Sequence, residues 1–327
     1  MDVFSDVVAT MKSGRAKLTR SRYNGRWGSR YGPYPGAGFH VVLEGTCWLV
    51  PPSGPAVRMS AGDVVFLPHG SVHGMSSTPD CPLEDLLPAL SMTDALVGRV
   101  NRHTLPDIAP ALDDTLLLCG AYRLRRDVVH PFLRGMPEFL HIPTHRVQHT
   151  ELHAVIDLLG INTVEDRPGA DAALPALLDL LLVYALRIWL EAQCPEESGG
   201  WCAALKDPAV GAALDRMHRD PARSWSVREL AESVGLSRTS FAERFTAYVG
   251  QSPIAYLTWW RLSLASRLLR ETDAPIASVA RRVGYTSEYA FAHAFKREYG
   301  TPPGSYRRTA RETPAPHQDA HAGPEDR

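Results

Sequence analysis

The sequence predicts a two-domain chain: an all-β barrel with flanking helices, then an all-α domain carrying two helix-turn-helix units. Three observations predict it. The chain has 327 residues, more than the roughly 250–300 at which a single core stops growing. Between Gly38 and His73, short apolar runs (FHVVLEG, TCWLV, VVFLPHG) are broken by turn residues, which is the text of consecutive strands. The stretch FAERFTAYVGQSPIAY, Phe241 to Tyr256, recurs as FAHAFKREYGTPPGSY, Phe291 to Tyr306, with Phe, Phe, Gly, Pro and Tyr in register.

Composition narrows the function classes. An apolar content of 44% with 22% charged residues is ordinary for a globular chain. No uninterrupted apolar run reaches the roughly 18–20 residues of a membrane span, the longest (Leu177 to Leu190) being broken by Asp179, Tyr184 and Arg187, so no membrane partner is expected. The N-terminus, MDVFSDVVATMKSGRAK, lacks the basic-then-apolar order of a signal peptide, and the expected location is cytoplasmic. Five scattered cysteines (Cys47, Cys81, Cys119, Cys194, Cys202) with no C-x-x-C pair argue against a disulfide framework and a structural zinc site. The net charge of −1 conceals a split: residues 207–309 carry 15 Lys and Arg against 10 Asp and Glu, the remainder 20 against 26. The basic third fits a nucleic-acid partner.

In chain order, residues 1–35 are polar, rich in Arg, Tyr and Gly, and show little periodicity. Strands fill 38–73, and Thr115 to Leu124 reads as a further strand. Helical patterns follow around Glu151 to Leu159 and Ala172 to Gln193. The second has Leu174, Leu177, Leu178, Leu181, Leu182, Ala185 and Ile188 on one face, which packs on the barrel or on a second copy of the chain. CPEESGG (194–200) reads as a linker. The expected organisation is a first domain over 1–193, a linker over 194–206, a second domain over 207–309, and a disordered tail over 310–327, where apolar periodicity is lost.

The repeat is explained by extending it backwards. WSVRELAESVGLSRTSFAERF reads as a helix from Val227, a turn at Gly235, and Ser237 as N-cap of a second helix. Ala231 is small where two helices cross, and Leu230, Val234, Leu236 and Phe241 supply a core. PIASVARRVGYTSEYAFAHAF repeats this with Pro275 at a helix start, Ala280 at the crossing and Gly284 in the turn. Turn glycine to first Phe is six residues in one copy and seven in the other, so one inserted residue lies in the second turn. Helix–Gly–helix text occurs in many bundles; two copies joined by the helix WWRLSLASRLLRETDAP point to DNA. Phe241/Phe245 and Phe291/Phe295 are core residues on this reading, with Gly250 and Gly300 as C-caps. The first recognition helix should present Arg238, Thr239, Ala242, Glu243 and Arg244, the second Glu288, Tyr289, Ala292, His293 and Lys296. Arg can pair with guanine and Glu with cytosine, while the caps Ser237 and Ser287 can reach phosphate through helix N-termini. Lys296, Arg297, Arg281, Arg282, Arg307 and Arg308 suit phosphate.

Over residues 207–309 the chain resembles the AraC/XylS family DNA-binding domain, including the run GYTSEYAFAHAFKREYGTPPGSYRR. The resemblance implies two recognition helices in successive major-groove segments on one face of the duplex, roughly 34 Å apart. In the first domain, Gly62 to His73 fits the second cupin motif, G-x5-P-x-G-x2-H, and His40-x3-Glu44-Gly45 resembles the later half of the first, whose earlier His is Gly38 here. A cupin is a small β-barrel, and such domains precede AraC-type domains in many regulators.

The resemblance implies a transcription regulator, with 1–193 as its cupin-like sensor and dimerisation domain and 207–309 as its DNA-binding domain, controlled by an unknown signal and with double-stranded promoter DNA and RNA polymerase as partners; activation and repression stay open, with activator as the working expectation. The effector is open among a small molecule, a metal and an oxidant, and a homodimer is open as well. His40, Glu44 and His73 are the candidate transition-metal ligands, against a metal-free barrel acting as effector pocket or dimer scaffold. Cys119, with Cys81 or Cys47, is the candidate redox pair. No enzyme activity is expected. The alternative is a cupin metalloenzyme with a helical appendage, which the incomplete ligand set argues against.

Overall fold

The computed structural model describes residues 3–11, 17–34, 36–85, 103–104, 114–122, 130–143, 150–164, 168–192 and 200–312. Eleven strands form two sheets among these residues: β1 (Lys17–Tyr23), β2 (Gly28–Tyr31), β3 (Ala37–Glu44), β4 (Thr46–Val50), β5 (Val57–Ser60), β6 (Val64–Leu67), β7 (His73–Ser76), β8 (Glu84–Asp85), β9 (His103–Thr104), β10 (Thr115–Tyr122) and β11 (Leu140–Ile142). The first sheet has the order β11-β6-β3-β10-β1-β9, the second β5-β4-β7-β2-β8. Because side chains alternate along a strand, β3, β6 and β10 each serve two cores. Val42, Val65, Leu67, Leu117 and Cys119 meet Cys47, Leu49, Met59 and Met75 of the second sheet to fill the lumen. Phe39, Val41, Val64, Phe66 and Leu118 point to the other face, where α3 (Thr150–Val164) and α4 (Ala170–Ala192) cover them.

The outer core does not stop at the barrel. It runs through α5 (Trp201–Lys206) and α6 (Pro208–Arg219) into α8 (Arg238–Val249) and the first half of α9 (Pro253–Glu271). The N-terminal helix α1 (Val3–Met11) docks on this helical part: Asp6 Oδ2 lies 3.1 Å from His218 Nδ1, whose Nε2 is 2.7 Å from the Tyr256 hydroxyl. All three side chains are buried. The remaining helices are α2 (Pro131–Arg134), α7 (Val227–Ser233), α10 (Ile276–Arg282), α11 (Glu288–Tyr299) and α12 (Pro303–Glu312).

Several expectations change. The first 35 residues hold α1, β1 and β2 rather than unpatterned chain; β1 is hidden from sequence reading because its KLTRSRY text alternates polar with polar. The span 194–206 ends in helix α5, whose Trp201, Cys202 and Ala204 are buried, so that part is packed structure. The further strand ends at Tyr122, and Arg123 and Leu124 lie outside the described residues, as does the tail beyond Glu312; α12 itself runs past the expected boundary at 309. Helix α4 is long and apolar enough to cross a membrane by length and composition, contrary to the run-length argument. Its Leu174, Leu178, Leu181, Leu182, Ala185 and Leu186 are nevertheless packed in the core, and Leu180 faces outward, 44% exposed.

Candidate nucleic-acid interface and barrel lumen

The two helix-turn-helix units are built by the same devices. Ser226 and Glu229 form a capping box that starts α7, and Pro275 starts α10. Gly235 and Gly284 make the turns at φ 73° and 85°, the left-handed region that costs glycine little. Ser237 caps α8 by accepting from the Ser240 amide at 3.2 Å, and Ser287 caps α11 by accepting from Ala290 at 3.3 Å. Gly250 and Gly300 close both helices in the αL conformation. Phe241, Phe245, Phe291 and Phe295 are all fully buried. The Tyr of each copy also finds a polar partner, Tyr256 on His218 and Tyr306 on Arg270.

With the phenylalanines turned inward, the opposite faces are free. Arg238, Thr239 and Glu243 of α8 are exposed, as are Glu288, Tyr289 (82%), His293, Lys296 and Arg297 of α11; Ala242 and Ala292 are half-buried between them. Arg281, Arg282, Lys296 and Arg297 project from one unit as exposed cations. Two arginines are committed elsewhere. Arg244 Nε lies 3.1 Å from Asp207 Oδ2, and Asp207 also caps α6 by accepting from the amides of Ala209 and Val210. Arg244 therefore ties the recognition helix to α6, because a carboxylate at a helix start lies within its reach. Arg307, read as a phosphate contact, instead donates to the Ala274 carbonyl and joins α12 to the loop between α9 and α10.

In the barrel the structure brings together four side chains from four strands: Tyr31, His40, His73 and Cys119. A single carbonyl fixes their protons. His73 Nδ1 donates to Ser71 O at 2.8 Å, which leaves its Nε2 as acceptor; His40 Nε2, 2.7 Å away, must donate to it. His40 Nδ1 then accepts, and the Cys119 thiol 2.9 Å away donates to it. The Tyr31 ring stacks on His73 and meets His40 edge-on. Every member of this relay is neutral, which agrees with its burial. Desolvation holds His40 well below the ordinary histidine range and lowers His73 to about 4, while it pushes the Cys119 thiol up to about 12.

The expected ligand set is thereby corrected. His40 and His73 converge, but Glu44 does not: it sits at the exposed end of β3, 2.9 Å from Arg22 Nη1, where the register of β3 against β10 shifts. His69 also lies apart, hydrogen-bonded to Met136 O. Cys119 approaches the ring nitrogen of His40 that points away from His73, so its sulfur and the two Nε2 atoms do not face a common point. Among the described residues no three His, Cys, Asp or Glu side chains form a metal-holding group, and the residues present do not fit a three-ligand centre. The position where the motif's first histidine is missing is filled from another direction, since a side chain at Gly38 would collide with the Tyr34 hydroxyl. For the redox pair, Cys119 and Cys47 share the lumen core, whereas Cys81 lies on the turn after β7. The described cysteines 47, 81, 119 and 202 are all buried.

This geometry predicts a slow thiol. With its pKa at about 12, Cys119 should alkylate with iodoacetamide at pH 8 about 10³-fold more slowly in the native chain than in urea, because the thiolate is the nucleophile. Peptide mass spectrometry reads the ratio, and equal rates would show an open lumen.

A cupin profile matches residues 2–191 and a helix-turn-helix domain profile residues 230–309. An AraC-like transcription regulator of Streptomyces lividans is 34% identical over 94% of this chain and 98% of its own length. The chain belongs to the AraC-like transcription regulators. A second such regulator, from Streptomyces antibioticus, is 31% identical over 94% of this chain and 99% of its own length. The RCS-specific HTH-type transcriptional activator RclR of Escherichia coli is 29% identical over 84% and 85%. In this AraC-like regulator, sequence reasoning placed both helix-turn-helix units and singled out His40 and His73, which meet at 2.7 Å. It missed Tyr31, Tyr34 and the Asp6–His218–Tyr256 link, whose members are 212 and 38 residues apart and carry no shared motif.

Proposed function

We propose that this regulator reads a bipartite site in double-stranded promoter DNA with α8 and α11 and answers to a signal received by the barrel. The observation that carries the reading is the paired exposure of Arg238, Thr239 and Glu243 on one capped helix and Glu288, Tyr289, His293, Lys296 and Arg297 on its twin. Ala242 and Ala292 offer methyl-sized contacts between them, and the caps Ser237 and Ser287 set helix N-termini toward phosphate. RNA polymerase is the downstream partner, and the outward face of α4 around Leu180 suits a second copy. The barrel is the signal-receiving unit in the cytoplasm rather than a catalytic centre, since Glu44 lies apart from the buried His40–His73 pair. Residues 1–193 act as the sensor unit and 207–309 as the reader, with 194–206 joining them.

Arg238, Arg281, Arg282, Lys296, Arg297 and Arg308 are the phosphate contacts in this scheme. Six such contacts make affinity fall about 10³-fold between 50 and 200 mM salt. Fluorescence anisotropy of the full chain on a labelled duplex measures this; affinity that is flat with salt, or no binding at low salt, would refute the proposal. The full chain is needed because Trp201, Tyr256 and Trp259 pack in the core shared with the barrel.

A further inference from the structure

Helix α9 belongs to both reading units. Its residues Tyr256, Leu257, Trp259 and Trp260 pack in the core of the first unit, and Leu262, Ala265 and Leu269 in the core of the second. Arg261 stands at the junction. Its side chain, half-buried, is not offered to solvent as a phosphate contact. Nε donates to the Pro221 carbonyl at 2.6 Å and Nη2 to the Arg223 carbonyl at 2.7 Å, both in the loop that launches α7 of the first unit. That loop is braced in turn, with Trp225 Nε1 donating to Asp220 O and the Arg223 guanidinium lying over the Trp225 ring. From the other side comes the turn of the second unit: a Cβ at Gly284 would lie 2.9 Å from Arg261 Nη2 and 2.8 Å from the Ala222 carbonyl. Loop of one unit, turn of the other and the joining helix therefore meet on a single guanidinium.

We infer that Arg261 is a positioning residue that sets the spacing and rotation of the two recognition helices, and so the separation of the two half-sites the regulator accepts. The inference rests on the DNA-binding reading above. A guanidinium suits the task because its planar fork holds two carbonyls at a fixed angle while its stem packs. B-DNA turns about 34° and advances about 3.4 Å per base pair, so two rigidly phased helices lose contacts when one pair is inserted between their half-sites. Two loosely joined helices would follow the DNA instead.

The test uses the full chain and a duplex enriched by it from a random-sequence pool, with derivatives carrying one pair added or removed between the two protected segments. The wild-type chain is expected to bind each derivative about 10-fold more weakly than the parent, the effect of a mismatched contact. Arg261→Ala should bind the parent about 10-fold more weakly and hold all three duplexes within about threefold of one another. Arg261→Lys, which keeps the charge but not the fork, should restore part of the discrimination. An Arg261→Ala chain that weakens equally on every duplex, keeping the wild-type preference, overturns the inference and leaves the DNA-binding reading standing. Failure of the wild-type chain to enrich any duplex overturns both. If circular dichroism shows Arg261→Ala to be unfolded, Arg261→Gln, which keeps most of the stem, carries the same comparison under the same criteria.

Discussion

Replacing Phe295 with alanine is expected to destabilise the second helix-turn-helix unit by about 3–5 kcal/mol and to remove DNA binding while the barrel stays folded. Phe295 is fully buried. It stacks on Tyr299 at 4.3 Å and meets Phe291 and Tyr306 at 5.6 and 5.1 Å. The core it fills is small and separate from the one continuous with the barrel, so little surrounding structure is available to collapse into the cavity. Phe245 occupies the same place in the first unit but packs against Tyr256 within the larger core. Phe245→Ala should therefore disturb the barrel junction as well, and Phe295→Ala should not. Urea unfolding followed by helical circular dichroism should show an early transition in Phe295→Ala alone. An unchanged profile would mean that the second core is not what holds α11 in place.

The second large effect concerns pH. His73 stays neutral in the folded chain down to about pH 4, whereas an unfolded histidine takes up its proton near 6.5. Between those values the unfolded chain binds the extra proton, so stability falls as pH falls from about 6.5 to about 4. The slope is about 1.4 kcal/mol per pH unit and the total about 3 kcal/mol. His40, depressed still further by burial and by His73 beside it, acts in the same direction. Denaturant midpoints at pH 7.5, 5.5 and 4.5 should decline, and His73→Gln should flatten the decline relative to wild type. A variant with the wild-type slope would show that buried, neutral His73 is not what carries the decline.

How much of this could be read from the sequence depends on how far apart the interacting residues lie. The helix-turn-helix pair was legible because its determinants are local: glycines at left-handed turns, serines at caps and phenylalanines four apart leave marks within sixteen residues, and the marks appear twice. The second cupin motif was legible for the same reason, its glycines and proline bounding β6. Partners distant in sequence were not legible. Arg244 has the look of a base-reading side chain on an exposed helix, and only folding brings it to Asp207, 37 positions earlier. Glu44 has the spacing of a ligand, yet the shift in register beside it and the approach of Arg22 turn it outward. Arg307 and Arg261 likewise donate to backbone carbonyls that carry no side-chain signature. The barrel relay was half legible, since His40, His73 and Cys119 were each singled out but under two different chemistries.

On the proposed function, two phased helices on one chain read two adjacent stretches of DNA. Hydroxyl-radical footprinting of the full chain on its enriched duplex tests it most directly. Two protected segments on one face of the duplex, about 10 base pairs apart centre to centre, are the predicted result; a single protected segment, or two on opposite faces, would contradict it.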